Sequence, residues 1–169
     1  MTHNLDSFSK RITPQIHHFS HDIWPTTESL RRVKAELKQR GAVAYNVWLP
    51  ETRALASLLH RDEHIMGSVF GKYEDGRGAL IATDQRALFV DKKPLFLHCD
   101  EIGYNVIGGV TYSRSGPFGY VTLHTRLGNF GLRTWNQNNA ANFVDYIETK
   151  CLQSSASSKD FAYPQTNFM

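Results

Sequence analysis

The sequence predicts a mainly β domain, a seven-stranded and partly open barrel capped by a C-terminal α-helix, with an N-terminal helix–strand–helix extension. Three observations carry this. From Ile65 to Trp135, short segments of alternating character recur between Gly, Pro and Asp turns. Their spacing of about 8–12 residues is the rhythm of all-β barrels and sandwiches. At Ala140 the period changes from two to that of a helix, with Ala140, Phe143, Val144, Ile147 and Cys151 on one stripe. Gly108 and Gly109 interrupt one strand pattern, where a bulge or bend lets a sheet curl.

Taken in order, residues 1–25 read as an irregular polar leader punctuated by Pro14 and Pro25. His17, His18 and His21 cluster there and read as solvated imidazoles, with no metal ligand assigned. Residues 26–63 form the extension. Thr26 or Thr27 caps a helix to Arg40, Gly41 ends it, and Leu30, Val33 and Leu37 make a narrow apolar stripe. Its basic residues read as a solvated face on a helix docked against the barrel. Ala42 to Leu49 alternates as a strand, and Pro50 opens a second helix running to Leu59.

The barrel proper occupies residues 64–152. Its strands are expected at Ile65–Tyr73, Ala79–Thr83, Arg86–Val90, Leu95–Ile102, Asn105–Ser113, Tyr120–Thr125 and Asn129–Trp135, followed by the helix Gln137–Leu152. Asp75-Gly76 is a hairpin signal, because the turn uses a positive φ that glycine adopts freely. Residues 153–169 read as a flexible Ser-rich tail with an aromatic tip.

Two stretches carry a family resemblance. Leu58-Leu59-His60-Arg61-Asp62-Glu63-His64-Ile65 and Gly78-Ala79-Leu80-Ile81-Ala82-Thr83-Asp84-Gln85-Arg86-Ala87-Leu88-Phe89-Val90 resemble the bacterial branch of the pleckstrin-homology-like (PH-like) domains. The Thr-Asp-Gln-Arg hairpin is the most specific piece, and the resemblance spans roughly residues 55–150. It implies a PH-like barrel and a non-catalytic binding role. It transfers no ligand, since such domains bind lipids, peptides or other proteins.

Composition narrows the function. Lys plus Arg is 19 against 16 for Asp plus Glu, a net charge of +3. No block of the chain carries a strong field of either sign, so no nucleic-acid partner is expected. Cys99 and Cys151 read as reduced packing residues. No run approaches the roughly 20 apolar residues of a membrane span, and the expected location is cytoplasmic.

Three constellations bear on chemistry. His60, Glu63 and His64 match the His-x-x-Glu-His spacing of inverted zinc peptidases. The motif falls where a helix gives way to a strand, so the two rings diverge, and neither a catalytic residue nor a metal ligand is assigned. Second, Lys72, Arg77, Arg86, Lys92 and Lys93 form a candidate anion-binding patch near one barrel end. Lipid-binding relatives carry a basic residue late in the first strand and a Lys-x-Arg pair on the second; here that strand starts Gly78-Ala79-Leu80, with Glu74 and Asp75 in the loop. Third, Tyr104, Tyr112, Phe118, Tyr120, Phe130 and Trp135 gather in the second half of the barrel, part core and part surface.

The reading that follows is a non-enzymatic module needing no cofactor. It presents a peptide- or protein-binding groove, or self-associates as a homo-oligomer through an open sheet edge. The alternative is peripheral binding to anionic lipid through the basic patch, and the remote alternative is a zinc hydrolase.

Overall fold

The computed structural model describes residues 25–73, 76–93, 96–126 and 128–159. The histidine cluster of the leader and the aromatic tip of the tail lie outside the described residues.

The strands are β1 (Ile65–Tyr73), β2 (Gly76–Thr83), β3 (Ala87–Lys92), β4 (Leu97–Ile102), β5 (Ile107–Ser115), β6 (Phe118–Thr125) and β7 (Gly128–Thr134). They form one antiparallel sheet in the order β4-β3-β2-β1-β7-β6-β5. First and last strands meet at one paired position, Lys72 opposite Arg133. β4 and β5 remain as the two edges, so the sheet is a curled half-barrel. Gly71 makes the β1–β7 junction possible: a Cβ there would lie 2.3 Å from the Arg133 carbonyl oxygen. Gly71→Ala should therefore cost about 1–3 kcal/mol, read as a lowered urea midpoint.

Two local irregularities set which side chains face where. The β1–β2 register shifts between Ile65 and Gly67. That shift turns Ile65 away from the face of Val69, so the two residues join different cores. The expected irregularity at Gly108-Gly109 is a register shift between Ile107 and Gly109 on β5. Gly76 departs from expectation: it pairs with Tyr73 as the first residue of β2, without a positive φ.

Three helices complete the chain: α1 (Thr27–Gln39), α2 (Pro50–Leu58) and α3 (Gln137–Lys159). The Thr26 hydroxyl accepts the Ser29 N–H at 3.1 Å at the start of α1. At its end the Gly41 N–H donates to Lys38 and the Ala42 N–H to Leu37, with Gly41 at φ +85°, a left-handed cap. Asn136 caps α3 by accepting the Asn139 N–H at 3.1 Å. This helix runs to Lys159 rather than Leu152, because serine only mildly disfavours helix and Ser154 donates back to the Cys151 carbonyl.

The β1–β3 part of the sheet is buried on both faces. On the concave side Val69, Leu80, Phe89, Val121, Leu123 and Leu132 pack beneath Ala140, Phe143, Val144 and Ile147 of α3. On the convex side Phe70, Ala79, Ile81, Leu88 and Val90 lie under α1 and α2, through Val33, Leu37, Leu55 and Leu58. Double coverage explains why Gly78–Thr83 is buried without interruption, the run of a strand with two dry faces.

The extension contains one correction. Residues 42–49 form no strand; Asn46–Trp48 is a 3-10 turn. Val47 and Leu49 are buried while Val43 and Tyr45 point out. The face expected to hold Val43, Tyr45, Val47 and Leu49 together is thus divided at the 3-10 turn, and β1 and β2 already have strand partners.

Candidate recognition cleft

The last residues of β1, the first of β2 and the last of β7 lie side by side on the outer face. Register places Lys72 directly opposite Arg77 on one side and Arg133 on the other. Tyr120 continues the row beyond Arg133. Like charges opposed across antiparallel strands destabilise a sheet, and none of these three cations forms a salt bridge to a described residue. Lys72→Glu should therefore raise stability by about 0.5–1 kcal/mol, visible as a higher melting temperature. A gain of that kind marks a row kept for something other than folding.

The residue 43–49 segment stands beside this row and makes it one wall of a cleft of about 760 Å³, within the roughly 300–1,000 Å³ of ligand-binding pockets. Its lining includes Tyr45, Asn46, Lys72, Arg77, Arg133 and Trp135, with no acidic side chain among the described residues. Tyr45 and Trp135 are 60% and 71% exposed, far above what aromatics serving only a core would show. The Arg77 guanidinium lies 5.0 Å from the Tyr45 ring centroid and donates to its hydroxyl. Arg133 lies 4.6 Å from the Phe118 ring, which packs at 4.1 Å against Trp135. The two arginines thus sit on aromatic platforms, a favourable arrangement for partly desolvated charge.

Of the five residues read from sequence as an anion patch, the structure brings Lys72 and Arg77 together in the cleft. Arg86 is turned inward. Its Nε and Nη2 meet the two carboxylate oxygens of Glu63 at 3.0 and 2.9 Å, Nη2 also donates to the Leu58 carbonyl at 3.1 Å, and Nη1 meets Glu101. Lys93 lies 3.3 Å from Asp91. Lys92 pairs with Leu97 through the backbone, and its side chain lies outside the described residues.

The Thr-Asp-Gln-Arg hairpin is thereby explained. Glu63, with no exposure, accepts from Arg86, from the Thr83 hydroxyl at 2.8 Å and from the His60 N–H at 3.1 Å. Burial pushes its carboxyl up, but the Arg86 contact with the other donors outweighs this and holds it below the usual carboxylate range. Inside the barrel the Tyr104 hydroxyl sits between the Thr83 and Arg86 carbonyls, and Tyr146 donates to the Thr83 carbonyl at 3.1 Å. The hairpin is clamped from both sides.

The His-x-x-Glu-His spacing belongs to this clamp. Glu63 is turned into Arg86, away from any metal-bound water, and His64 Nδ1 lies 3.0 Å from Glu36, tying β1 to α1. Among the described residues no cluster of three metal-ligating side chains occurs. Cys99 and Cys151 form no disulfide, and burial with Glu101 and Asp100 nearby pushes the Cys99 thiol up to about 12. Cys99 should accordingly react with a thiol reagent at pH 8 far more slowly than unfolded protein does.

The six aromatics of the barrel's second half divide between the inner and outer faces. Tyr104, Tyr112 and Phe130 pack on the inner core, while Phe118, Tyr120 and Trp135 share the outer face with Arg133. Tyr45 and Arg133 were not picked out from sequence. The signal for Arg133 lay in β1–β7 closure, which opposes it to Lys72.

A curled seven-stranded sheet with a helix in its mouth is the PH-like architecture. Comparison with family models bears this out: the chain belongs to the bacterial PH domain family, whose model matches residues 59–149, a little over half of the sequence. Among solved structures, the chain is similar to a DUF1696 family protein with a pleckstrin-homology domain from Shewanella loihica PV-4. That similarity has 11% identity, a TM-score of 0.45, and covers 58% of this chain and 87% of the other. No curated protein matches the chain. No helix among the described residues is long and apolar enough to cross a membrane.

Proposed function

We propose that the chain is a non-catalytic binding module that recognises a protein or peptide partner, and that its recognition surface is the cleft between residues 43–49 and β1, β2 and β7. The observation that carries this is the pairing of exposed Tyr45 and Trp135 with three adjacent cations lacking carboxylate partners among the described residues. Exposed aromatics and arginines concentrated in a concavity are what interface hot spots are made of. Membership of the PH-domain family supports a binding role in general. The buried faces of the sheet leave recognition to surfaces such as this one.

Selection of displayed random peptides tests the reading, using the full chain and a Tyr45→Ala/Trp135→Ala variant checked for folding by circular dichroism. Peptides enriched on the wild type and lost on the variant are expected. Equal enrichment on both, or none on either, would refute the cleft as the site.

A further inference from the structure

We infer that the occupant of this cleft is an extended acidic segment of a partner protein, bound through several separate carboxylates. The inference rests on the cleft reading above and adds the chemistry of the ligand. It comes from how the three cations are held. Neighbouring strands lie about 4.8 Å apart, so Arg77, Lys72 and Arg133 mark out a row roughly 10 Å long.

The ends of that row are held by different aromatic side chains. Tyr45 holds the Arg77 guanidinium by its hydroxyl and its ring, while Phe118 holds that of Arg133 on the far side. The two guanidiniums thus have separate anchors, and the register sets their strand positions two strands apart with Lys72 between them. A compact tetrahedral dianion needs convergent donors. A row of spaced charges is matched by spaced single charges, such as carboxylates along an extended chain. The described lining offers no acidic group to compete for them. Trp135, stacked on Phe118 and largely exposed, gives an apolar neighbour of the bound acidic chain something to rest on.

Fluorescence anisotropy provides the test, with a short fluorescein-labelled peptide of alternating glutamate and serine as the probe. A glutamine–serine peptide, inorganic phosphate, and phosphatidylcholine vesicles with and without phosphatidylserine serve as comparisons. The glutamate peptide should bind the full chain, lose affinity as salt rises, and outcompete both inorganic phosphate and the glutamine peptide. The Lys72→Gln/Arg77→Gln/Arg133→Gln variant, its fold checked by circular dichroism, should bind it roughly tenfold or more weakly. Equal binding of glutamate and glutamine peptides, or an unchanged affinity in the triple variant, overturns the inference. So does charge-dependent pelleting with anionic vesicles without peptide binding. If the glutamate peptide fails while display-selected peptides still require Tyr45 and Trp135, the acidic partner is wrong and the cleft reading survives; if both fail, both fall.

Discussion

Glu63→Ala is expected to destabilise the domain by about 3–5 kcal/mol, the cost of leaving one half of a buried ion pair without its partner. The Arg86 guanidinium would keep only Glu101 and the Leu58 carbonyl, the His60 N–H would lose its carboxylate acceptor, and the Thr83 hydroxyl would be left with the Arg86 carbonyl. Because Glu101 is half-exposed and stays in contact, the loss should fall nearer the lower figure. Urea unfolding should show a lower midpoint with an unchanged slope. Glu63→Gln keeps the shape but presents an NH₂ to donors, so it should cost less than alanine and more than nothing. Replacing both partners with apolar residues of similar volume should recover much of the loss, as buried pairs generally permit.

The pH dependence follows from the same carboxylate. Its folded pKa is depressed, so its contribution is fully present above the unfolded value of about 4.3. That contribution is lost as pH falls through the lower, folded value. Wild type should therefore lose stability more steeply than Glu63→Gln below about pH 4. Equal slopes would mean that the ion pair contributes nothing.

Phe143→Ala is the second large effect, about 3–5 kcal/mol, from lost transfer energy plus the cavity left behind. Phe143 has no exposure, and α3 rests on β1 there: a Cβ at Gly67 would meet the Phe143 Cα at 3.3 Å. Truncation empties the point where the helix closes the half-barrel. The contrasting residue is Trp135, 71% exposed, whose alanine variant should change stability by no more than about 0.5 kcal/mol. A large loss for Trp135→Ala would place it in the fold rather than in the cleft.

Much of the architecture was legible because local chemistry and tertiary packing agree. The bounds of the Ile65–Tyr73 strand, the Gly108-Gly109 irregularity and the Ala140–Ile147 stripe each appear where period and glycine placement put them, although the register shift after Ile65 moves that residue off the face of Val69. The 43–49 segment misled because four apolar residues at alternate positions suggest one strand face, whereas the 3-10 turn at Asn46–Trp48 leaves Val43 and Tyr45 exposed and buries Val47 and Leu49. The serine-rich end of α3 misled because composition suggests flexibility even where a preceding helix can propagate. The candidate site was half legible. Lys72 and Arg77 are hairpin neighbours, so proximity in sequence revealed them. Arg133 and Tyr45 reach the same place only through barrel closure and the fold of the extension, neither of which leaves a local mark. Arg86 looked like a surface cation because nothing near it in sequence shows that Glu63 is its partner.

Amide chemical-shift mapping during titration with a display-selected peptide tests the central claim most directly. The account predicts that perturbed resonances cluster at residues 43–49, 71–78 and 133–136, and that Lys72→Glu abolishes them while raising the melting temperature. Perturbations gathered along the free edge of β5 and the neighbouring face of α3, with the cleft unmoved, would contradict it.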